Sequence, residues 1–151
     1  MAELSPLMEE ILSRGGSVEM TVTGGSMEPM LHGGVSRVRL APPRELRRGD
    51  LPLYRRENGS FVLHRVTAVS CGGYTCCGDA QYICEKNVPR GSIVAVTEAF
   101  MRSDRWRSVS SAGYGIYWRL RLASRPVRRM KAFCIRLLRG AGVGRSGENR
   151  A

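Results

Sequence analysis

The sequence predicts a mainly β domain with a short N-terminal helix and a basic helical C-terminal region. Three observations carry that reading. Between residues 16 and 100, short apolar-polar alternations recur, separated by frequent Gly, Pro, Asn and Asp turns. Ahead of them, residues 3–14 have a helical pattern. Beyond residue 110 the spacing becomes helical and arginine accumulates.

Each element has a local reason. In residues 3–14 (ELSPLMEEILSR), Ser5 can cap a helix, Pro6 suits its first turn, and Leu7, Ile11 and Leu12 share a face. Gly15-Gly16 ends it. Residues 17–23 place Val18, Met20 and Val22 on one side of a strand, and Gly24-Gly25 breaks it. Strands are expected over 35–40 and 51–55, with Pro52 restricting the second to an edge or a strand start. The strongest strand is 60–70 (SFVLHRVTAVS), and 73–77 and 92–97 complete the set. Turn signals lie between them, among them Pro42-Pro43, Gly49-Asp50, Asn58-Gly59, Gly78-Asp79 and Pro89-Arg90-Gly91. Residues 114–124 and 127–139 read as helices separated by Pro126. The division expected is a catalytic-looking domain over 1–109 and a basic extension over 110–151.

Composition narrows the function. The chain has 151 residues, 42% of them hydrophobic, which suits one folded domain with a short appendage. Its formal net charge is +11. Residues 1–100 carry 11 basic and 11 acidic side chains, so the whole excess lies beyond residue 100. That distribution argues against a uniformly basic coat for nucleic acid. No run approaches the roughly 20 apolar residues of a membrane-spanning helix. The first residues bear Glu3, Glu9 and Glu10 with no early basic cluster, unlike a secretory signal peptide, so a cytoplasmic location is expected. Five cysteines, an odd number with Cys76 and Cys77 adjacent, make a poor disulfide framework. Cys71, Cys76, Cys77 and Cys84 lack the paired C-x2-C spacing of a zinc site, so neither metal nor cofactor is called for.

The segment with chemical content is Gly25-Ser26-Met27-Glu28-Pro29-Met30-Leu31. Gly24 and Gly25 let the backbone bend closely around a serine at the end of a strand, and Pro29 stiffens the turn that follows. The Ser26 amide is suited to holding an oxyanion, with Gly25, Met27 and Pro29 shaping the same loop. A serine hydroxyl needs a base, and candidates are few: His32, His64, Lys86 and Lys131. His64 stands in the middle of the strongest strand, a rigid platform for an imidazole. His32 reads as a loop residue.

Five blocks occur in order: Ser26-Met27-x-Pro29-x-Leu31, Gly49-Asp50-Leu51-x-Leu53-Tyr54, His64-Arg65-Val66, Gly78-Asp79-Ala80 and Val88-Pro89-x-Gly91-x-Ile93. Together they resemble the serine peptidase superfamily of type I signal peptidases and LexA-type self-cleaving repressors, over about residues 16–100. The resemblance implies the catalytic β domain of that superfamily. It is to the branch with histidine in place of the lysine base, as in endoplasmic-reticulum and archaeal-like enzymes. It implies Ser26 as nucleophile, His64 as general base and Asp79 as the carboxylate that supports the imidazole. Lys86 falls too late for the lysine slot. Two departures stand out: His32-Gly33-Gly34-Val35 lacks the family's aspartate, and the block that often reads Gly-Asp-Asn is Gly78-Asp79-Ala80. The family's hydrophobic anchor is also missing.

The function expected is therefore a serine endopeptidase that cleaves a peptide or protein precursor by a Ser–His mechanism, in leader- or signal-type processing. The alternative is an inactive relative that binds an extended peptide or partner protein through the same groove. The basic region from Arg102 to Arg139 suits an anionic membrane surface, with Tyr114, Tyr117 and Trp118 at the interface, or an acidic partner. Nucleic acid is disfavoured, because only about 15 residues precede the catalytic blocks, too few for a helix-turn-helix.

Overall fold

The computed structural model describes residues 6–126 and 130. The second expected helix, 127–139, and Cys134 lie almost wholly outside them. The chain runs α1 (Pro6–Ser13), β1 (Val18–Thr21), β2 (Arg37–Ala41), β3 (Pro52–Arg55), β4 (Phe61–Leu63), β5 (Arg65–Ser70), β6 (Gly73–Cys77), β7 (Glu85–Val88), a 3-10 turn (Arg90–Ser92), β8 (Ile93–Arg102), β9 (Arg105–Ser108) and α2 (Ala112–Ala123). The expected class holds: the protein is mainly β, with a short helix at one end and a helix after the strands.

All pairings are antiparallel and form two sheets. The larger has the order β1-β2-β8-β3-β4, with β9 also on β8; the smaller is β5-β6-β7. Register shifts at Arg39/Leu40 and Leu53/Tyr54 bulge the ladders on both sides of β8. Bulges sharpen the local twist, and the larger sheet is curled.

The run expected as one strand over 60–70 is divided. Residues before His64 pair in the larger sheet and residues after it in the smaller. His64 occupies the break, its amide reaching the Pro52 carbonyl at 3.4 Å. A strand that changes sheets makes a corner of this kind. The sequence conceals it, because apolar and β-branched residues continue on both sides. Pro52 opens β3, as its missing N–H allows.

Two strands were not expected from the pattern. β7 (EKNV) is short and mostly polar. β9 (RWRS) is returned onto β8 by a two-residue turn in which Ser103 and Asp104 both have positive φ, 49° and 57°. That conformation matches the twist of a hairpin, though Ser-Asp is not the usual pair for it. Backbone pairing carries both strands, with Val88 the one residue of β7 that enters a core.

One core lies beneath the larger sheet and gathers Leu12, Val18, Met27, Leu31, Val38, Leu40, Leu51, Leu53 and Phe100, with Tyr114 from α2. A second joins the sheets through Tyr54, Val66, Tyr74, Cys76, Val88 and Val96. α2 begins beyond residue 109 yet shares the first core. Ser111 caps it by accepting the Tyr114 amide.

Leu40 is wholly buried, whereas Ile83 is exposed. Leu40→Ala is expected to lower unfolding free energy by about 2–5 kcal/mol, and Ile83→Ala by under about 0.5, as read by urea denaturation.

Candidate active site

The serine loop is built by close backbone contacts. At its neck Val22 donates to the Ser36 carbonyl, and Gly34 donates to Val22 at 2.8 Å. Gly33 presses on Gly24 so tightly that a Cβ there would stand 2.6 Å from the Gly24 oxygen. Inside the loop, Glu28 donates to Gly25 while Met30 and Leu31 donate to Met27. Met27 and Leu31 plunge into the core and anchor the loop; Ser26 between them and the surface is half-buried. Among the described residues, the Ser26 and Met27 amides donate no hydrogen bond, and the Ser26 hydroxyl has no partner. Two adjacent uncommitted N–H groups beside a hydroxyl are what an oxyanion site requires. Pro29 is exposed, following a cis Glu28–Pro29 peptide.

The Gly78-Asp79-Ala80 segment docks on this loop. Ala80 donates to the Ser26 carbonyl at 2.9 Å, and a Cβ on Gly78 would stand 2.5 Å from that same oxygen. The glycine of the Gly-Asp block is thus required by the approach of the serine loop.

Asp79 forms a buried ion pair with Arg65. The guanidinium Nε donates to Oδ1 at 2.8 Å and an Nη to Oδ2 at 2.7 Å, a two-pronged contact. Arg65 is 0% exposed. Its other donors reach the Gly49 carbonyl, the Tyr114 hydroxyl at 2.7 Å and the Met30 sulfur of the serine loop. Tyr117 donates to Asp79 Oδ2 at 3.0 Å, and Arg121 donates to the carbonyls of Asp79 and Glu28. One cluster therefore holds both sheets, the serine loop and α2.

His64, adjacent to Arg65, is 2% exposed. Its Nδ1 lies 3.1 Å from the Tyr54 hydroxyl and 3.5 Å from Glu85 Oε1. Glu85 is fixed by Arg56, which donates Nε to Oε2 at 2.9 Å and an Nη to Oε1. Burial pushes the imidazole down to about 4, against a smaller upward pull from Glu85; Asp79 acts on it only as a weaker field. The resemblance implies that Asp79 supports His64. In the structure Asp79 is held by Arg65 and Tyr117, and the groups at Nδ1 are Tyr54 and Glu85. Sequence reasoning missed these two. Tyr54 stood in a quoted block without a role, and Glu85 lies in a strand with no apolar signature.

The structure thus brings Ser26, His64 and Asp79 to one region through Arg65 and the Gly78–Ala80 segment. It forms no hydrogen bond between Ser26 and His64 among the described residues. His32 is exposed, 3.8 Å from Glu28. A cleft of about 1060 Å3 is lined by Tyr54 and Glu85 together with Leu12, Arg56, Lys86 and Val88; neither Ser26 nor His64 lines it.

Of the three aromatics expected at a membrane interface, Tyr114 is buried, and Tyr117 and Trp118 are half-buried. Tyr114 is bonded to Arg65 and Gly49, Tyr117 is bonded to Asp79, and Trp118 packs on the core against Gly49. Two arginines of the basic region also turn inward, Arg121 as above and Arg125 onto the Cys77 and Cys84 sulfurs. No helix among the described residues is long and apolar enough to cross a membrane.

No family model, no curated protein and no solved structure matches this chain.

Two outcomes follow from the buried charges. Arg65→Met leaves Asp79 buried without its partner and is expected to cost about 3–5 kcal/mol, most of it recovered in the Arg65→Met/Asp79→Asn double variant. The second concerns acid. Unfolded His64 titrates near the ordinary 6.5 and folded His64 near 4. The unfolded chain therefore binds more protons in that window, and stability is lost as pH falls from 6.5 towards 4. The loss from this group is about 3 kcal/mol, and His64→Gln removes it from denaturation midpoints measured across the window.

Proposed function

We propose that the protein is a serine endopeptidase of the signal-peptidase and LexA-like kind, with the fold of that superfamily, acting on peptide or protein precursors. The observation that supports this best is the docking of the Ser26 loop. Its hydroxyl and two amides are uncommitted. Its carbonyl is held by the Gly-Asp segment that Arg65, beside His64, secures. The ordered blocks of the sequence supply the roles.

In this reading Ser26 Oγ attacks the scissile carbonyl and forms the C–O bond. The hydroxyl proton passes to His64, and the oxyanion is held by the Ser26 and Met27 amides. Collapse breaks the C–N bond, and the imidazolium returns its proton to the leaving amine. A water molecule, deprotonated by the same imidazole, then releases the acyl group and restores Ser26. The neutral imidazole at ordinary pH keeps its acceptor available. Substrate binds as an extended strand, with main-chain hydrogen bonds giving affinity and alternate pockets giving specificity. The basic region beyond residue 100 serves docking to an anionic membrane surface or an acidic partner.

One observation favours a second reading, an inactive relative that binds an extended peptide. Ser26 and His64 share no hydrogen bond, and His64 is turned to Tyr54 and Glu85. In an active enzyme that contact tightens when substrate closes the site.

Incubation with leader-bearing precursor peptides, followed by mass spectrometry, separates the two. The peptidase reading predicts cleavage that falls by about 10^3-fold or more in Ser26→Ala and in His64→Gln. Binding without cleavage supports the binding module instead, and equal cleavage by Ser26→Ala overturns Ser26 as the nucleophile.

A further inference from the structure

We infer that Tyr54 and Glu85 are the positioning residues of His64, holding its proton on Nδ1 and leaving the lone pair on Nε2. This rests on the peptidase reading for its consequence in catalysis, but the tautomer is a property of the folded chain alone.

The argument begins with donor and acceptor capacity. An ionised carboxylate only accepts hydrogen bonds, and a phenol can do both. Glu85 Oε1 lies 3.5 Å from Nδ1. If Nδ1 carried a lone pair, that lone pair would face an anion with no proton between them. A proton on Nδ1 removes the conflict and satisfies the Tyr54 oxygen at 3.1 Å as well. The Tyr54 hydroxyl proton is then free to turn towards Glu85. Burial first, and then the Glu85 charge and hydrogen bond, raise Tyr54 well above the usual phenol range, so it stays protonated. Glu85 is drawn below the ordinary carboxylate range chiefly by hydrogen bonding to Arg56, so it stays ionised.

The elements explain why the arrangement is rigid. Tyr54 sits on β3, where the ladder with β8 shifts register between Leu53 and Tyr54. Glu85 opens β7, opposite Cys76 of β6. His64 stands at the corner between the sheets. Relay and imidazole thus come from three separate elements, while Arg56 clamps the carboxylate from the residue after β3. The remaining charged group acting on the ring is Asp79, from the β6–β7 connection, already paired with Arg65. The Cys76 thiol nearby is pushed up to about 12 by burial and stays neutral. Among the described residues no other bond is made at Nδ1. The relay does for this histidine what a buried aspartate does in a triad: it fixes the tautomer and balances the imidazolium.

The test has two arms. Nitrogen-15 NMR of the whole protein with labelled histidine reads the tautomer without any substrate. A pyrrole-type signal at Nδ1 and a pyridine-type signal at Nε2 of His64 are expected, the assignment made by loss in His64→Gln. Tyr54→Phe or Glu85→Gln should move the ring towards the Nε2–H form. A native Nε2–H form overturns the inference. So does an unchanged tautomer in both variants, each checked as folded by circular dichroism. In the second arm, precursor cleavage by Glu85→Gln should lose about 10^2-fold in kcat with KM little changed. Unchanged kcat also overturns it. Absence of cleavage in the native protein together with the expected tautomer counts against the peptidase reading and leaves the relay standing.

Discussion

The Arg65–Asp79 ion pair is the contact on which the rest of the molecule depends. A guanidinium without solvent exposure is tolerated only when its donors are occupied and its charge is balanced. Here the occupants come from four places: Asp79 after β6, Gly49 before β3, Met30 in the serine loop and Tyr114 on α2. Each is thereby fixed relative to the others. The pair is not a cheap source of stability, since desolvation offsets much of its attraction. Its contribution is registry: it ties the serine loop, the Gly-Asp segment and the helix to one buried charge, which any arrangement that parted them would leave unpaired.

That registry changes the meaning of the charge distribution. The excess beyond residue 100 suggests an appendage with a solvated arginine face. The structure uses part of it internally. Arg121 reaches over the Asp79 and Glu28 carbonyls, Arg125 reaches two cysteine sulfurs, and two tyrosines that fit a membrane interface carry the hydroxyls of the buried cluster. The first helix after the β strands belongs to the architecture of the candidate site.

The β class, the turns and the serine loop were legible in the sequence because they rest on local signals. Alternation marks β1 and β2, glycine pairs mark the bends, and α2 starts within two residues of expectation. What was not legible depends on partners remote in sequence. The split at His64 arises from pairing choices of β4 and β5, since Phe61–Ser70 has no interior breaker. β7 has one buried residue, Val88, and β9 has none, so no apolar period announces them. Asp79 is a turn aspartate by its neighbours, and only the fold delivers Arg65 to both of its oxygens. Glu85 is 21 positions from His64 in sequence, and no spacing rule joins them.

In the proposed peptidase, Ser26 is a nucleophile activated by a buried neutral histidine. Covalent trapping tests it most directly. The native protein, treated with a panel of peptide boronates and fluorophosphonates and mapped by mass spectrometry, should carry one adduct, on Ser26. Its rate of formation should collapse in His64→Gln and persist in Arg125→Lys. No adduct on Ser26 with any member of the panel, or labelling that proceeds equally without His64, would rule out that role for the pair.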